Sequence, residues 1–203
     1  MEPWNLRKVE CDARADGYDD HMLIDLALED FYEEIARLVE NEREDFRLLD
    51  LGCGTGLELK RLFEKYPAVS VTGVDLSKKM LDKLKEKYPN KKIRFLYGSY
   101  FDLSFGSGYD VALSTYSLHH FNEEEKLFLY RKIYASLHEN GVFIEGDYIA
   151  DSPEKQLFSL SELDRLKQEQ NIPDGEFFHY DIPFTAETEI RLLRETGFSD
   201  VKI

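Results

Sequence analysis

Two sets of residues in this chain have types and spacing that could do chemistry. The first is the stretch RLLDLGCGTGLELK, Arg47 to Lys60, where Asp50-Leu51 leads into Gly52, Gly54 and Gly56 at alternate positions. An apolar strand that ends in glycines and opens a helix suits a nucleotide-type cofactor. Glycine permits a tight turn and close approach of a ligand to the backbone, and a helix N-terminus offers unpaired N–H groups. The spacing sets aside two common versions of that site. A dinucleotide fold shows G-x-G-x-x-G and a P-loop needs G-K-S/T, whereas here Leu57 follows Gly56 directly. Asp75 belongs to the same chemistry. It ends the strand-like VSVTGVD, 19 residues beyond Gly56, where a carboxylate can accept both hydroxyls of a ribose diol or cap the helix that starts near Ser77. The second set is titratable: His119 and His120, Asp147 and Tyr148, His179 and Tyr180.

The whole string D-L-G-C-G-T-G resembles the first motif of class I S-adenosylmethionine-dependent methyltransferases. Tyr109-Asp110-Val111, followed by Leu-His-His-Phe at 118–121, is similar to a later motif of that family, and the resemblance covers 45–203. It implies an α/β fold, a Rossmann-like three-layer sandwich around a central, mostly parallel sheet. It implies an enzyme that moves a methyl group from S-adenosyl-L-methionine to an acceptor, leaving S-adenosyl-L-homocysteine. The reaction is an in-line displacement at a sulfonium carbon, so the protein's main task is alignment. The cofactor-binding residues implied are Asp50, Gly52, Cys53, Gly54 and Gly56 at the loop, with Asp75 and Leu76 after the second strand. Ser99 and Tyr100 follow the third strand, Ser114, Thr115 and Tyr116 end the fourth, and Tyr18 comes from an N-terminal segment that folds over the cofactor in many small relatives. One position departs from the family: Ser99 stands where an aspartate usually accepts the adenine amino hydrogen, a bond that a hydroxyl can still accept without the charge.

An acceptor hydroxyl or ammonium would also need a base, and His120, Asp147, His179 and Tyr180 are the candidates. Adjacent side chains on a strand or helix point apart, so His119 and His120 are not expected to serve one site. Neither Cys11 nor Cys53 has a CxxC partner and no HExxH is present, so no metal site is expected. Three other readings remain open at this level. They are transfer from a carboxymethyl-type donor, as in transfer-RNA wobble modification, with Arg14 the one candidate cation; a non-catalytic module that senses S-adenosylmethionine; and a dinucleotide-dependent oxidoreductase.

These residues need elements to hold them. Strand–helix alternation is expected at 46–51, 57–66, 69–74, 77–88 and 92–97, with a fourth strand in 109–121, which argues for a parallel sheet. Asn122 with Glu125 marks a capped helix with a buried stripe of Leu127, Tyr130, Tyr134 and Leu137, ending at Asn140-Gly141 before a fifth strand, 142–149. Residues 151–184 read as a lid insertion over the acceptor, with a polar helix from Pro153 to Gln170 and an aromatic wall from Phe177, Phe178, His179, Tyr180 and Phe184. A last helix capped by Thr185 and a strand from Phe198 complete the pattern. Ahead of it all, residues 1–45 form a helical cap, its stripe carried by Ile24, Leu28, Phe31, Ile35 and Leu38.

The chain of 203 residues suits a single domain, and its 42% hydrophobic and 33% charged composition is that of a globular protein. A net charge of −15 repels phosphate backbones, so a small-molecule acceptor is expected and nucleic acid is not, despite the lysine run from Lys78 to Lys92. No apolar stretch spans a membrane, and the cysteine usage is that of a reducing cytoplasm. The antiparallel final strand of the family's seven-stranded sheet is missing from the sequence; either it lies further along, or a second copy of the chain fills its place in a homodimer.

Overall fold

Short runs rich in Leu, Val and Ile form five parallel strands in the computed structural model, which describes residues 12, 14–173 and 180–203. They are β1 (Arg47–Leu51), β2 (Ser70–Asp75), β3 (Ile93–Tyr97), β4 (Tyr109–Thr115) and β5 (Leu137–Gly146), in the order β3-β2-β1-β4-β5. The order reverses beside β1, which makes the carboxyl end of that strand the switch point where open α/β sheets bind ligands. Every residue of β1 after Arg47 is buried, as expected for a parallel strand covered on both faces.

The chain divides into two compact units. One takes in the described residues up to Thr115 together with Ser136–Gly146, and so holds the whole sheet. Its helices are α1 (Glu29–Leu38), α2 (Leu59–Lys65) and α3 (Lys78–Lys87). Ile35 of α1, Leu59, Leu62 and Phe63 of α2, and Leu81 and Leu84 of α3 join Leu48, Val71, Val111, Leu113 and Ile144 of the strands in one apolar core. Gly146 makes room for this packing, because a Cβ there would press on Phe31 and Ile35 at 2.7 Å.

The other unit comprises Tyr116–Ala135 and Asp147–Ile203. It holds nearly all of α4 (Glu123–Ser136), then α5 (Pro153–Glu169) and α6 (Ala186–Glu195). The expected cap of α4 is a reciprocal box: Asn122 Oδ1 accepts from the Glu125 N–H at 3.0 Å, and the Glu125 carboxylate accepts from the Asn122 N–H at 2.9 Å. Ser152 and Thr185 cap α5 and α6 in the same manner, each accepting from an N–H three residues on. Lys126 of α4 is buried against Glu189 of α6, whose other carboxylate oxygen accepts from the Tyr130 hydroxyl at 2.7 Å. No helix of the described residues is long and apolar enough to cross a membrane.

Four expectations about elements need correction. Ala27 takes a left-handed φ of 52°, which breaks the N-terminal helix, so Ile24 is exposed and Tyr32 and Ala36 bury instead. The buried stripe of α4 is Lys126, Leu129, Tyr130 and Ile133 rather than one including Tyr134, because a paired lysine occupies a position that hydrophobic periodicity cannot read. That helix stops at Ser136 and β5 begins at Leu137. A bulge then carries the chain from the Tyr109↔Leu137 pair to Val111↔Val142, which absorbs Asn140-Gly141. Residues 198–203 form no strand, and the Phe198 ring packs on Tyr134 instead.

Candidate functional site

The glycine turn forms because three residues accept a left-handed backbone. Gly52, Gly54 and Gly56 have φ of 76°, 46° and 75°. The turn hangs from the end of β2: the N–H groups of Gly52 and Cys53 both donate to the Val74 carbonyl, at 2.8 and 3.2 Å. Gly56 and Gly54 differ in purpose. A side chain at Gly56 would run into Leu84 and Tyr88 of the same unit, whereas a Cβ at Gly54 meets nothing closer than 3.8 Å. Gly56 therefore serves packing, and Gly54 is the open position of the turn.

Asp75 does two things at once. Its Oδ2 accepts from the Gly54 N–H at 2.9 Å and its Oδ1 from the Ser77 N–H at 2.7 Å, so it braces the turn and also steadies the start of α3. Ser77 itself caps α3 by accepting from the Met80 N–H. The N-terminal segment reaches the same place. Asp19 accepts from the Thr55 hydroxyl and pairs with Lys87 at 2.6 Å, Asp12 accepts from the Ser77 hydroxyl at 2.6 Å, and Asp16 pairs with Lys83 at 3.0 Å. Tyr18 consequently stands over the turn, its ring 4.0 Å from where a Cβ on Gly54 would be.

Beneath the turn lie two acids. Asp50 is fully buried and its oxygens meet no N–H or hydroxyl donor, facing instead the carboxyl of Glu58, which is 4% exposed. Burial drives the Asp50 pKa well above the carboxylate range, and the neighbouring Glu58 and Asp75 add to it. Glu58 is pushed up to about 7, chiefly by burial. Two such carboxyls cannot both ionise cheaply, so the pair holds a proton near neutral pH. Burial also pushes the Cys53 thiol up; its sulfur sits where a Cβ on Gly73 would be only 2.8 Å away, so Gly73 is required for the turn to dock.

The other expected cofactor residues fall around the carboxyl ends of the strands. Ser99 is buried and its hydroxyl accepts from the Phe101 N–H at 3.2 Å; Tyr100 is buried after it. Leu76 follows Asp75 directly, half-buried. Ser114 is wholly buried and donates to the Leu51 carbonyl at 3.1 Å, so its hydroxyl fastens β4 to β1 beside the turn. Thr115 is 8% exposed at the end of β4. Tyr116 carries a left-handed φ of 48°, an expensive conformation for a tyrosine, and its phenol pKa is raised by burial and by Tyr148 and Asp147.

Within the second unit the histidines gather. The chain turns at 117–120 rather than continuing as strand, so the His119 and His120 rings lie 3.9 Å apart, contrary to the expectation that neighbours diverge. His119 Nδ1 is 2.5 Å from Asp147 Oδ1, and Asp147 Oδ2 accepts from the Leu118 and His119 N–H groups at 2.9 and 3.1 Å. Asp147 thus positions a histidine instead of standing open. Asp181 approaches both rings, 3.4 Å from His119 Nε2 and 3.3 Å from His120 Nδ1. Burial opposes a charge on His119, but the hydrogen bonds to Asp147 and Asp181 outweigh it and push the pKa up to about 9. Tyr180 is half-buried next to Asp181, and His179, with Phe177 and Phe178, lies outside the described residues. Sequence reasoning passed over Asp181, Glu58 and Gly73. Each depends on a partner met only when the chain folds, and only the acidic residue amid leucines at 57–59 was a visible hint.

Residues 48–141 match a family model described as a methyltransferase domain. A malonyl-[acyl-carrier protein] O-methyltransferase of Priestia megaterium is 29% identical over 150 residues, covering 64% of this chain and 55% of that protein. A carboxy-S-adenosyl-L-methionine synthase of Campylobacter lari is 27% identical over 187 residues, covering 85% of this chain and 80% of that one. Among solved structures, a Nostoc punctiforme protein provisionally assigned as an O-methyltransferase superposes with a TM-score of 0.67 at 27% identity, covering 85% of this chain and 51% of that one. The chain thus spans about half the length of the first of these relatives and of the solved structure. The α/β three-layer sandwich is the fold they share.

Proposed function

We propose that this chain, which belongs to the class I S-adenosylmethionine-dependent methyltransferase family, binds S-adenosyl-L-methionine at the glycine turn and transfers its methyl group to a small-molecule acceptor. The observation that carries the reading is the turn itself: left-handed Gly52, Gly54 and Gly56 at the switch point of a parallel sheet, with the Asp75 carboxylate bonded to the Gly54 N–H. Binding would redirect Asp75 toward the ribose hydroxyls. Glu58, which titrates near neutral pH beneath the turn, would ionise more readily beside a donor that carries a positive sulfonium and an ammonium group than beside the neutral-sulfur product. When bound, the cofactor supplies an activated methyl carbon; the protein aligns it and excludes water.

Charge and the relatives support this acceptor class. A net charge of −15 disfavours binding to a phosphate backbone, and the O-methyltransferase named above points to an oxygen nucleophile. Residues 151–184 are proposed as the segment that orders around the acceptor. A second reading has one observation in its favour: the carboxy-S-adenosyl-L-methionine synthase matches over more of both chains than the O-methyltransferase does. In that reading the cofactor is itself the substrate.

One experiment separates the two. Small molecules released from the purified protein are identified by mass, and the protein is then incubated with S-adenosylmethionine and oxygen acceptors, carboxylate and hydroxyl. Release of S-adenosylhomocysteine with a methylated acceptor supports methyl transfer. A species heavier than S-adenosylmethionine by the mass of CO2 among the small molecules released from the purified protein supports the synthase reading, and absence of any S-adenosylmethionine binding overturns both.

A further inference from the structure

We propose that His119, His120 and Asp181 form a binding site for a divalent first-row transition metal of the zinc class. The ligand atoms these three residues offer all lie within 4.8 Å of one another, a grouping found among the described residues. Both separations from Asp181 match those of a tetrahedral site. Metal–ligand bonds of about 2.0–2.1 Å place neighbouring ligands about 3.3–3.4 Å apart. His119 Nε2 and His120 Nδ1 stand 3.4 and 3.3 Å from Asp181 Oδ1.

The surrounding residues prepare the first ligand. His119 is buried and its Nδ1 is held by Asp147 Oδ1, which fixes the ring and turns Nε2 toward Asp181. Asp147 is held in turn by the N–H groups of Leu118, His119 and Tyr148. This is the carboxylate–histidine–metal arrangement, in which the outer carboxylate selects the tautomer and strengthens the nitrogen as a ligand. Asp181 is also placed by backbone: the Ile182 N–H donates to the His119 carbonyl at 2.9 Å, and the Ala150 N–H donates to the Phe184 carbonyl at 2.9 Å, clasping 182–184 onto the unit. In the metal-free protein an imidazole N–H facing Asp181 Oδ1 would account for these contacts, and a metal would displace that proton.

Two imidazoles and one carboxylate leave a fourth position open, and in zinc enzymes that position takes water or an oxygen-bearing ligand. The site does not rest on the methyl-transfer reading. It was hidden in the sequence because the familiar metal signals are short spacings of Cys or His, whereas Asp181 is brought in from another segment by the clasp.

The test uses tag-free protein freed of metal with a chelator and titrated with Zn2+ against a chromophoric competitor, with Co2+ as a spectroscopic substitute. One equivalent of Zn2+ is expected, together with a Co2+ absorption typical of four-coordinate N/O ligation. Asp181→Asn should weaken Zn2+ binding at least tenfold and Asp147→Asn by about 10- to 100-fold. His21→Ala, in an exposed pair with Asp25, should leave it unchanged. The Asp181 side chain is half exposed, so Asp181→Asn is the decisive variant and is expected to fold. Failure to take up one equivalent of Zn2+, or uptake that Asp181→Asn does not weaken, overturns the proposal.

Discussion

Glu58→Gln should reduce a pH dependence that runs against the usual pattern for acids. In the folded chain Glu58 has a pKa of about 7 against an ordinary 4.5, chiefly from burial beside Asp50. The folded state therefore binds more protons than the unfolded state between those two values. Its stability is fully present below pH 4.5 and declines as pH rises through 7, the reverse of a salt-bridged carboxylate. At 1.36 kcal/mol per pKa unit, a rise from 4.5 to about 7 is worth on the order of 3 kcal/mol for this group. Urea unfolding of cofactor-free protein at half-unit steps from pH 5 to pH 8 measures it. Subtracting the variant's curve from the wild type's removes the groups that titrate alike in both, and the difference should move by about 2 kcal/mol in the variant's favour between pH 5 and pH 8. The Asp50 pKa should fall at the same time, since Glu58 is one of the charges that raises it. Wild-type and variant curves that stay parallel across the range would refute the argument, because they would mean Glu58 titrates alike in the folded and unfolded chains.

Three further outcomes are expected. Asp75→Ala should weaken S-adenosylmethionine binding about tenfold to a hundredfold, the loss of a charge-assisted contact worth about 1.5–3 kcal/mol, as read by calorimetry; unchanged affinity would remove Asp75 from the site. Lys126→Met leaves Glu189 buried without its cation and should destabilise by about 3–5 kcal/mol in urea unfolding, while adding Glu189→Leu should recover much of the loss; an equal deficit in both variants would mean packing, and not charge, dominates. Gly73→Val forces side-chain atoms onto the Cys53 sulfur and should cost about 1–3 kcal/mol in stability, with weaker cofactor binding; a variant as stable as wild type would show that the turn docks with room to spare.

Local chemistry made much of this protein legible in sequence. Gly52, Gly54 and Gly56 mark a left-handed turn whatever surrounds them, because a side chain there is strained by the backbone itself. The parallel strands and the capped helices were readable for the same reason: burial on both faces, the Asn122–Glu125 box and the Thr185 cap involve residues near in the chain. The existence of those elements was readable at that level; the sheet order, and with it the switch point beside β1, came only with the structure.

Tertiary structure alone decided which polar groups meet. Hydrophobic periodicity assigns a charged residue to the surface, so it could not place Lys126 in a core where Glu189 neutralises it, nor Glu58 beneath the turn against Asp50. Strand geometry says that neighbouring histidines diverge, yet the chain leaves β4 at Thr115 and turns, which sets the His119 and His120 rings together with Asp181 beside them. Asp147 took its role in the same way, from backbone N–H groups of a turn that precedes it by nearly thirty residues. A carboxylate's task depends on what shares its low-dielectric surroundings, and those neighbours arrive only when the chain has folded.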